Sequence, residues 1–259
     1  MPILRANGLR HYFRHEGRPG SPALVLLHPI GADHSLFDPV VPMLLERFQI
    51  LRPDLRGHGG TDCPPDDCTL QALTDDLLAL TRHVGWHRFA VCGVSLGGLI
   101  GLQAAITRPE ALSGLAVCSA AAVMAPPPGG WDQRAAAARA QGMAALEPGM
   151  VERMFSPDYR ARREPHLDSL RRVFLHTDPE GYARCVAVLR DADLRPALSA
   201  VRTPTLLLHG SADPLITAEK IAVLREGIPA SVVCPFACGH FPPVETPTEF
   251  ARLLLTRFA

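Results

Sequence analysis

Four short runs of consecutive apolar residues, at 23–27, 89–92, 115–118 and 205–208, mark the chain. Unbroken runs of this length are typical of strands covered on both faces, as inside a parallel sheet. Residues 48–52 form a further strand. Residues 9–15 and 23–27 flank the turn-rich Glu16-Gly17-Arg18-Pro19-Gly20-Ser21-Pro22, which predicts a hairpin at the start of the sheet. Between strands the apolar spacing changes to three and four. Over 69–84, Leu70, Leu73, Leu77, Leu78, Leu80 and Val84 share a helical stripe, with Thr69 placed to cap it. Segments 96–107, 217–226 and 248–258 read as helices on the same grounds, the last starting after Pro247. Such alternation implies right-handed crossovers and an α/β fold, a mostly parallel sheet flanked by helices.

The alternation stops between 125 and 202. Ala125-Pro126-Pro127-Pro128-Gly129-Gly130 cannot continue a helix, and the following stretch is rich in Ala, Arg, Met and Leu without a buried-strand run. This predicts a helical cap at 125–202, inserted after the sixth strand and dividing the core into 1–124 and 203–259. The cap carries Met143, Met150 and Met154 besides Trp131, Phe155, Tyr159, Phe174 and Tyr182. Val201-Arg202-Thr203-Pro204 returns the chain to the sheet. A length of 259 residues suits one large domain with such an insertion.

Charge and composition narrow the function classes. Lys plus Arg and Asp plus Glu stand at 26 each, leaving no net field for nucleic acid or an anionic membrane surface. No apolar stretch approaches the roughly 20 residues a membrane helix requires. The expected partner is a small molecule. The N-terminal Met1-Pro2-Ile3-Leu4-Arg5-Ala6-Asn7-Gly8 lacks the pattern of a secretory signal, and seven scattered cysteines suit reduced thiols; both predict a cytoplasmic protein. Neither Cys63 with Cys68 nor Cys234 with Cys238 and His240 has the C-x2-C spacing of a structural zinc site, so no metal is expected. Oligomeric state leaves no mark in the sequence.

The chemistry concentrates at three strand ends. Gly93-Val94-Ser95-Leu96-Gly97-Gly98 follows one apolar run and opens a helix, the context of a nucleophile elbow. Its glycines fit a turn too tight for flanking side chains, and the helix N-terminus offers N–H groups to a developing negative charge. A serine hydroxyl is weak at neutral pH and needs a base, which in turn needs an orienting acceptor. Asp213 lies just past the strand at 205–208, and His240 lies in Cys238-Gly239-His240-Phe241 before the last helix. The order Ser95, Asp213, His240 matches this architecture. Among eleven histidines, His28 and His209 sit at strand ends where the ring bonds a neighbouring loop, and His58 reads as a turn residue. A second oxyanion donor besides the Leu96 N–H belongs on the loop His28-Pro29-Ile30-Gly31, and because Pro29 has none, it is that of Ile30.

Together these motifs resemble the α/β-hydrolase superfamily along essentially the whole chain. More narrowly, Asp54-Leu55-Arg56-Gly57-His58-Gly59, Cys92-Gly93-Val94-Ser95-Leu96-Gly97-Gly98 and the cap segments Trp131-Asp132-Gln133-Arg134, Ala140-Gln141-Gly142-Met143-Ala144-Ala145-Leu146 and Thr177-Asp178-Pro179-Glu180-Gly181-Tyr182 are similar to 3-oxoadipate enol-lactonases. The resemblance implies a cofactor-free opening of a small lactone, with Ser95, Asp213 and His240 as triad, Ile30 and Leu96 as oxyanion donors, and Trp131, Met143 and Arg134 toward the substrate. Trp131 and Met143 serve equally well as cap core. That substrate carries a carboxylate, for which Arg134, Arg139 and Arg184 are candidate partners. The chain departs from the family at His28-Pro29-Ile30, which bears on the substrate and not on the reaction type. Two other readings stay open, a carboxylesterase or tailoring hydrolase on another ester or lactone, and a small-molecule receptor on the same fold.

Overall fold

The computed structural model describes residues 3–63 and 68–259; Met1 and Pro2 of the N-terminal stretch lie outside them. The apolar runs become β3 (Ala23–Leu27), β5 (Phe89–Val94), β6 (Leu112–Cys118) and β7 (Thr205–Gly210), which form the buried middle of the sheet. With β1 (Ile3–Ala6), β2 (Leu9–Glu16), β4 (Gln49–Pro53) and β8 (Val232–Phe236), the described residues form an eight-stranded sheet ordered β1-β2-β4-β3-β5-β6-β7-β8. From β4 to β8 every pairing is parallel, while β1 with β2 and β2 with β4 are antiparallel.

The expected hairpin between residues 9–15 and 23–27 does not form. β2 lies between β1 and β4, and β3 lies between β4 and β5. The hairpin is instead β1–β2, closed by Asn7 and Gly8 at φ 49° and 79°. Two consecutive left-handed residues are what a tight type I′ turn requires, and Asn-Gly is its strongest signal. β3, apolar on both faces, gains more from the sheet's interior than from its edge.

The helices are α1 (Val41–Leu44), α2 (Leu70–His83), α3 (Leu96–Thr107), α4 (Gly130–Gln141), α5 (Glu147–Met154), α6 (Pro157–Arg162), α7 (Pro165–His176), α8 (Pro179–Asp191), α9 (Ala218–Gly227), α10 (Pro242–Glu245) and α11 (Pro247–Phe258). Thr69 caps α2 by accepting the Ala72 N–H at 3.0 Å, and Leu73, Leu77 and Leu80 face the core. α11 begins on Pro247 itself, because a missing N–H costs nothing at a first helical position. α3 is apolar on all sides and buried, flanked by β5, β6 and α2.

Helices α4 to α8 all fall between β6 and β7 and form a cap over the sheet's C-terminal edge. Their interior holds Met143, Met150, Tyr159, Leu170 and Phe174. α8 reaches the core at Gly181, where a Cβ on Gly57 would stand 2.5 Å from the Gly181 Cα, so both positions exclude a side chain. No helix among the described residues is long and apolar enough to cross a membrane.

Candidate active site

β5 ends at Val94 and α3 begins at Leu96, so Ser95 alone makes the turn, at φ 54° and ψ −112°. That conformation is strained by about 1–3 kcal/mol for a residue with a Cβ. Its surroundings enforce it: the Ser95 N–H donates to the Cys118 carbonyl at 2.8 Å. A Cβ on Gly93 would lie 2.0 Å from the Gly97 oxygen, and one on Gly97 would lie 2.3 Å from the Leu27 oxygen. The G-x-S-x-G spacing is thus a record of backbone contacts on either side of the serine.

Asp213 follows β7, and its Oδ1 accepts the Leu215 N–H at 2.8 Å and the Ile216 N–H at 3.4 Å. Its Oδ2 accepts from His240 Nδ1 at 2.7 Å, with both side chains almost wholly buried. Burial by itself would raise the Asp213 pKa. The His240 charge and hydrogen bond, with the two backbone donors, outweigh it and hold the carboxyl below its ordinary value. With Nδ1 committed to Asp213, Nε2 is the nitrogen left to exchange a proton. Ser95 and His240 line one cavity of about 140 Å³, together with Ile30, Trp131 and Phe155.

The loop 28–31 borders the same cavity. Pro29 has no N–H, and the Gly31 N–H is taken by His58 Nε2 at 2.9 Å, which leaves that of Ile30. The Leu96 N–H stands in the first turn of α3, where no intrahelical acceptor exists. Behind the loop, His28 Nε2 accepts the Leu55 N–H at 2.9 Å while Nδ1 donates to the Pro29 carbonyl at 2.8 Å. His58 uses its ring the same way, with Nδ1 donating to the Arg56 carbonyl at 3.1 Å. Arg56 in turn grips Asp76 of α2 through bonds of 2.6 and 2.8 Å. Asp54-Leu55-Arg56-Gly57-His58-Gly59 is therefore a brace behind the cavity loop. His209, expected to bond a loop, makes no side-chain hydrogen bond among the described residues; it is half-buried on β7 beside Pro235.

Both rings in the brace accept an N–H on Nε2, which requires their neutral form. Burial, aided by the neighbouring His28, pushes the His58 pKa down to about 3. An unfolded histidine titrates near 6.5. Between those values the unfolded chain binds a proton that the native state does not, so stability falls as pH drops through this window and is fully present above it. From pH 6.5 to 5 the loss attributable to His58 is about 2 kcal/mol. Urea unfolding at pH 7 and pH 5 should show that much more loss in the wild type than in His58→Gln; equal losses would refute the assignment.

The cap adds two charged groups to the cavity. Arg134 lines it, with Nε donating to the Tyr182 hydroxyl at 2.7 Å and the guanidinium 5.5 Å from that ring's centroid. Arg153 also lines it, and its buried Nε has no hydrogen-bond partner. Burial, then repulsion from Arg134, pushes the Arg153 pKa down. Neither is ion-paired among the described residues. Arg139 and Arg184 are elsewhere engaged, each bonded to Glu180 at 2.7 and 2.8 Å respectively. Met143 does not line the cavity; it is buried within the cap beside α4. Trp131 does line it. Sequence reasoning misses Arg153, although it stands with Met150 and Met154 on one stripe of α5, and a charge on an otherwise apolar stripe is a signal of a polar cavity.

A strained serine between a parallel strand and a helix, with a buried Asp–His pair following β7 and β8, defines a class of proteins, and the family model confirms it. The chain belongs to the alpha/beta hydrolase family, whose model matches residues 24–253. Among curated proteins it is similar to 3-oxoadipate enol-lactonase 1 of Acinetobacter baylyi, 29% identical over 92% of this chain and 88% of the relative. Among solved structures it is similar to the enol-lactonase of Burkholderia xenovorans, with TM-score 0.95, 32% identity and 98% of each chain covered. It is also similar to a thermophilic esterase of Thermogutta terrifontis in a malate-bound structure, with TM-score 0.88, 26% identity and 98% and 95% coverage.

Proposed function

We propose that this hydrolase opens a small carboxylate-bearing lactone, of the 3-oxoadipate enol-lactone kind, through an acyl-enzyme on Ser95. His240 takes the Ser95 proton as Oγ adds to the lactone carbonyl. Asp213 stabilises the imidazolium, and the Ile30 and Leu96 N–H groups receive the oxyanion. Collapse breaks the ring C–O bond, and His240 returns the proton to the departing enol oxygen. Water, deprotonated by the same His240, then adds to the acyl carbonyl and releases the acid with Ser95 restored.

The observation that carries the substrate class is the arginine pair: Arg134 and Arg153, without acidic partners among the described residues, line a mostly apolar cavity that also contains Ser95 and His240. Two half-buried cations facing one cavity are costly unless an anion joins them. A substrate carboxylate meets that need and orients the lactone carbonyl toward the serine. Charge-assisted hydrogen bonds contribute about 1.5–3 kcal/mol. Arg153→Met should therefore raise KM for an enol-lactone acid by about 10- to 100-fold, while a neutral aryl ester is hydrolysed as before. Equal effects on both substrates would point to a hydrolase without carboxylate selectivity, a more general esterase.

A further inference from the structure

Glu245 closes α10 five residues after His240, and its carboxylate turns back onto the loop that carries the histidine. Oε1 accepts the Gly239 N–H at 3.0 Å and the Ser156 N–H at 3.2 Å, and Oε2 accepts the Ser156 hydroxyl at 2.5 Å. One half-buried carboxylate thereby joins the residue before His240 to the cap turn between α5 and α6. A second link lies beside it, where the His240 N–H donates to the Met154 carbonyl at 2.8 Å. Phe155 sits between these anchors. Its ring lines the cavity and meets Phe241 edge-on, with centroids 5.3 Å apart at 81°. The junction is tight as well as bonded: a Cβ on Gly239 would lie 2.7 Å from the Ser156 nitrogen and 2.9 Å from the Met154 oxygen. Burial lifts the Glu245 pKa above the ordinary value, so the carboxylate is held here at a desolvation cost.

We infer that Glu245 is a positioning residue for the reaction. It fixes His240 by tying the histidine loop to the cap turn, so seating Phe155 against a substrate and placing the base become a single event. Glu245 touches no reacting atom and acts through Gly239. The inference rests on the proposed roles of Ser95, Asp213 and His240. Because the cap turn is itself a cavity wall, a poorly seated cap leaves the base displaced, which couples the fit of a substrate to turnover.

The test compares wild type, Glu245→Ala, Glu245→Asp, Glu245→Gln and Ser95→Ala on p-nitrophenyl acetate, with intact sites counted by fluorophosphonate titration. Alanine removes both acceptor oxygens. Aspartate keeps the charge but is one methylene too short to reach Gly239 and Ser156 together. Glutamine keeps an oxygen for the two N–H groups, while its amide donates to a hydroxyl that can accept. In the alanine and aspartate variants, kcat per titrated site should fall by about 10- to 100-fold, as displacing a catalytic group by about 1 Å does. KM should move little, and glutamine should restore most of the rate. If alanine folds poorly, aspartate carries the comparison. Unchanged kcat per site with only a lower Tm, a loss confined to KM, or glutamine as impaired as alanine each overturns the inference. Full turnover in Ser95→Ala would overturn the triad reading and this inference with it; loss there beside unimpaired Glu245 variants overturns this inference alone.

Discussion

Ser95→Ala should fold like the wild type and lose about 10⁴- to 10⁶-fold in kcat on any lactone or ester the enzyme accepts. In the proposed mechanism the hydroxyl is the atom that forms the acyl bond, and His240 without it has only water to deprotonate. The Ile30 and Leu96 donors would still polarise a bound carbonyl, which sets the residual rate. A companion substitution separates chemistry from stability. At φ 54° and ψ −112°, any residue with a Cβ stores about 1–3 kcal/mol of strain that glycine does not. Glycine's extra freedom in the unfolded chain costs about 0.5–1 kcal/mol. Relief of strain outweighs that cost, so Ser95→Gly should be inactive yet more stable by about 1 kcal/mol, a rise in Tm of about 2–4 °C. Calorimetry decides between this and a Tm that falls, which would mean that the elbow is relaxed.

The parts of the molecule legible in the sequence are those fixed by local sterics. Gly93 and Gly97 must flank Ser95 because backbone oxygens stand where their Cβ atoms would be, so the elbow leaves a pattern in five residues. Asp213 follows an apolar run at 205–208 that is equally local, and the proposed donor role of Ile30 follows from the missing N–H of Pro29. Groups placed by tertiary packing leave weaker marks. Arg134 is positioned by Tyr182, 48 residues away, and Glu245 is bonded to Ser156, 89 residues away. Neither partnership has a spacing rule. Likeness of a segment points Met143 toward the substrate, but α4 is an alanine- and arginine-rich helix with only Ala135 and Ala138 buried, so its pattern does not fix how the following turn faces. The hairpin departs from expectation for a different reason. The Gly/Pro-rich linker between β2 and β3 suggests a turn, yet Asn7-Gly8 carries the stronger signal: two left-handed residues specify a tight hairpin, while a longer linker allows the next strand to land elsewhere in the sheet.

Asp213→Asn tests the orientation of the base with a change of one atom. Oδ1 of Asp213 is held by the Leu215 and Ile216 N–H groups, so an asparagine would keep its oxygen there and turn its NH₂ toward His240. Facing a donor, Nδ1 must become the acceptor, and the ring proton moves to Nε2. That tautomer cannot take a proton from Ser95. The expected loss is about 10⁴-fold in kcat, with KM nearly unchanged because the cavity wall is intact. Fluorophosphonate labelling should slow to a similar degree, since it too needs a deprotonated serine. A proton-detected NMR spectrum should show the wild-type Nδ1–H resonance, far downfield in the short bond to Asp213, vanish in the variant. If Asp213→Asn instead keeps labelling and turnover within about tenfold of wild type, then Asp213 is a turn-capping carboxylate and the base takes its orientation from the cap contacts of Gly239 and His240.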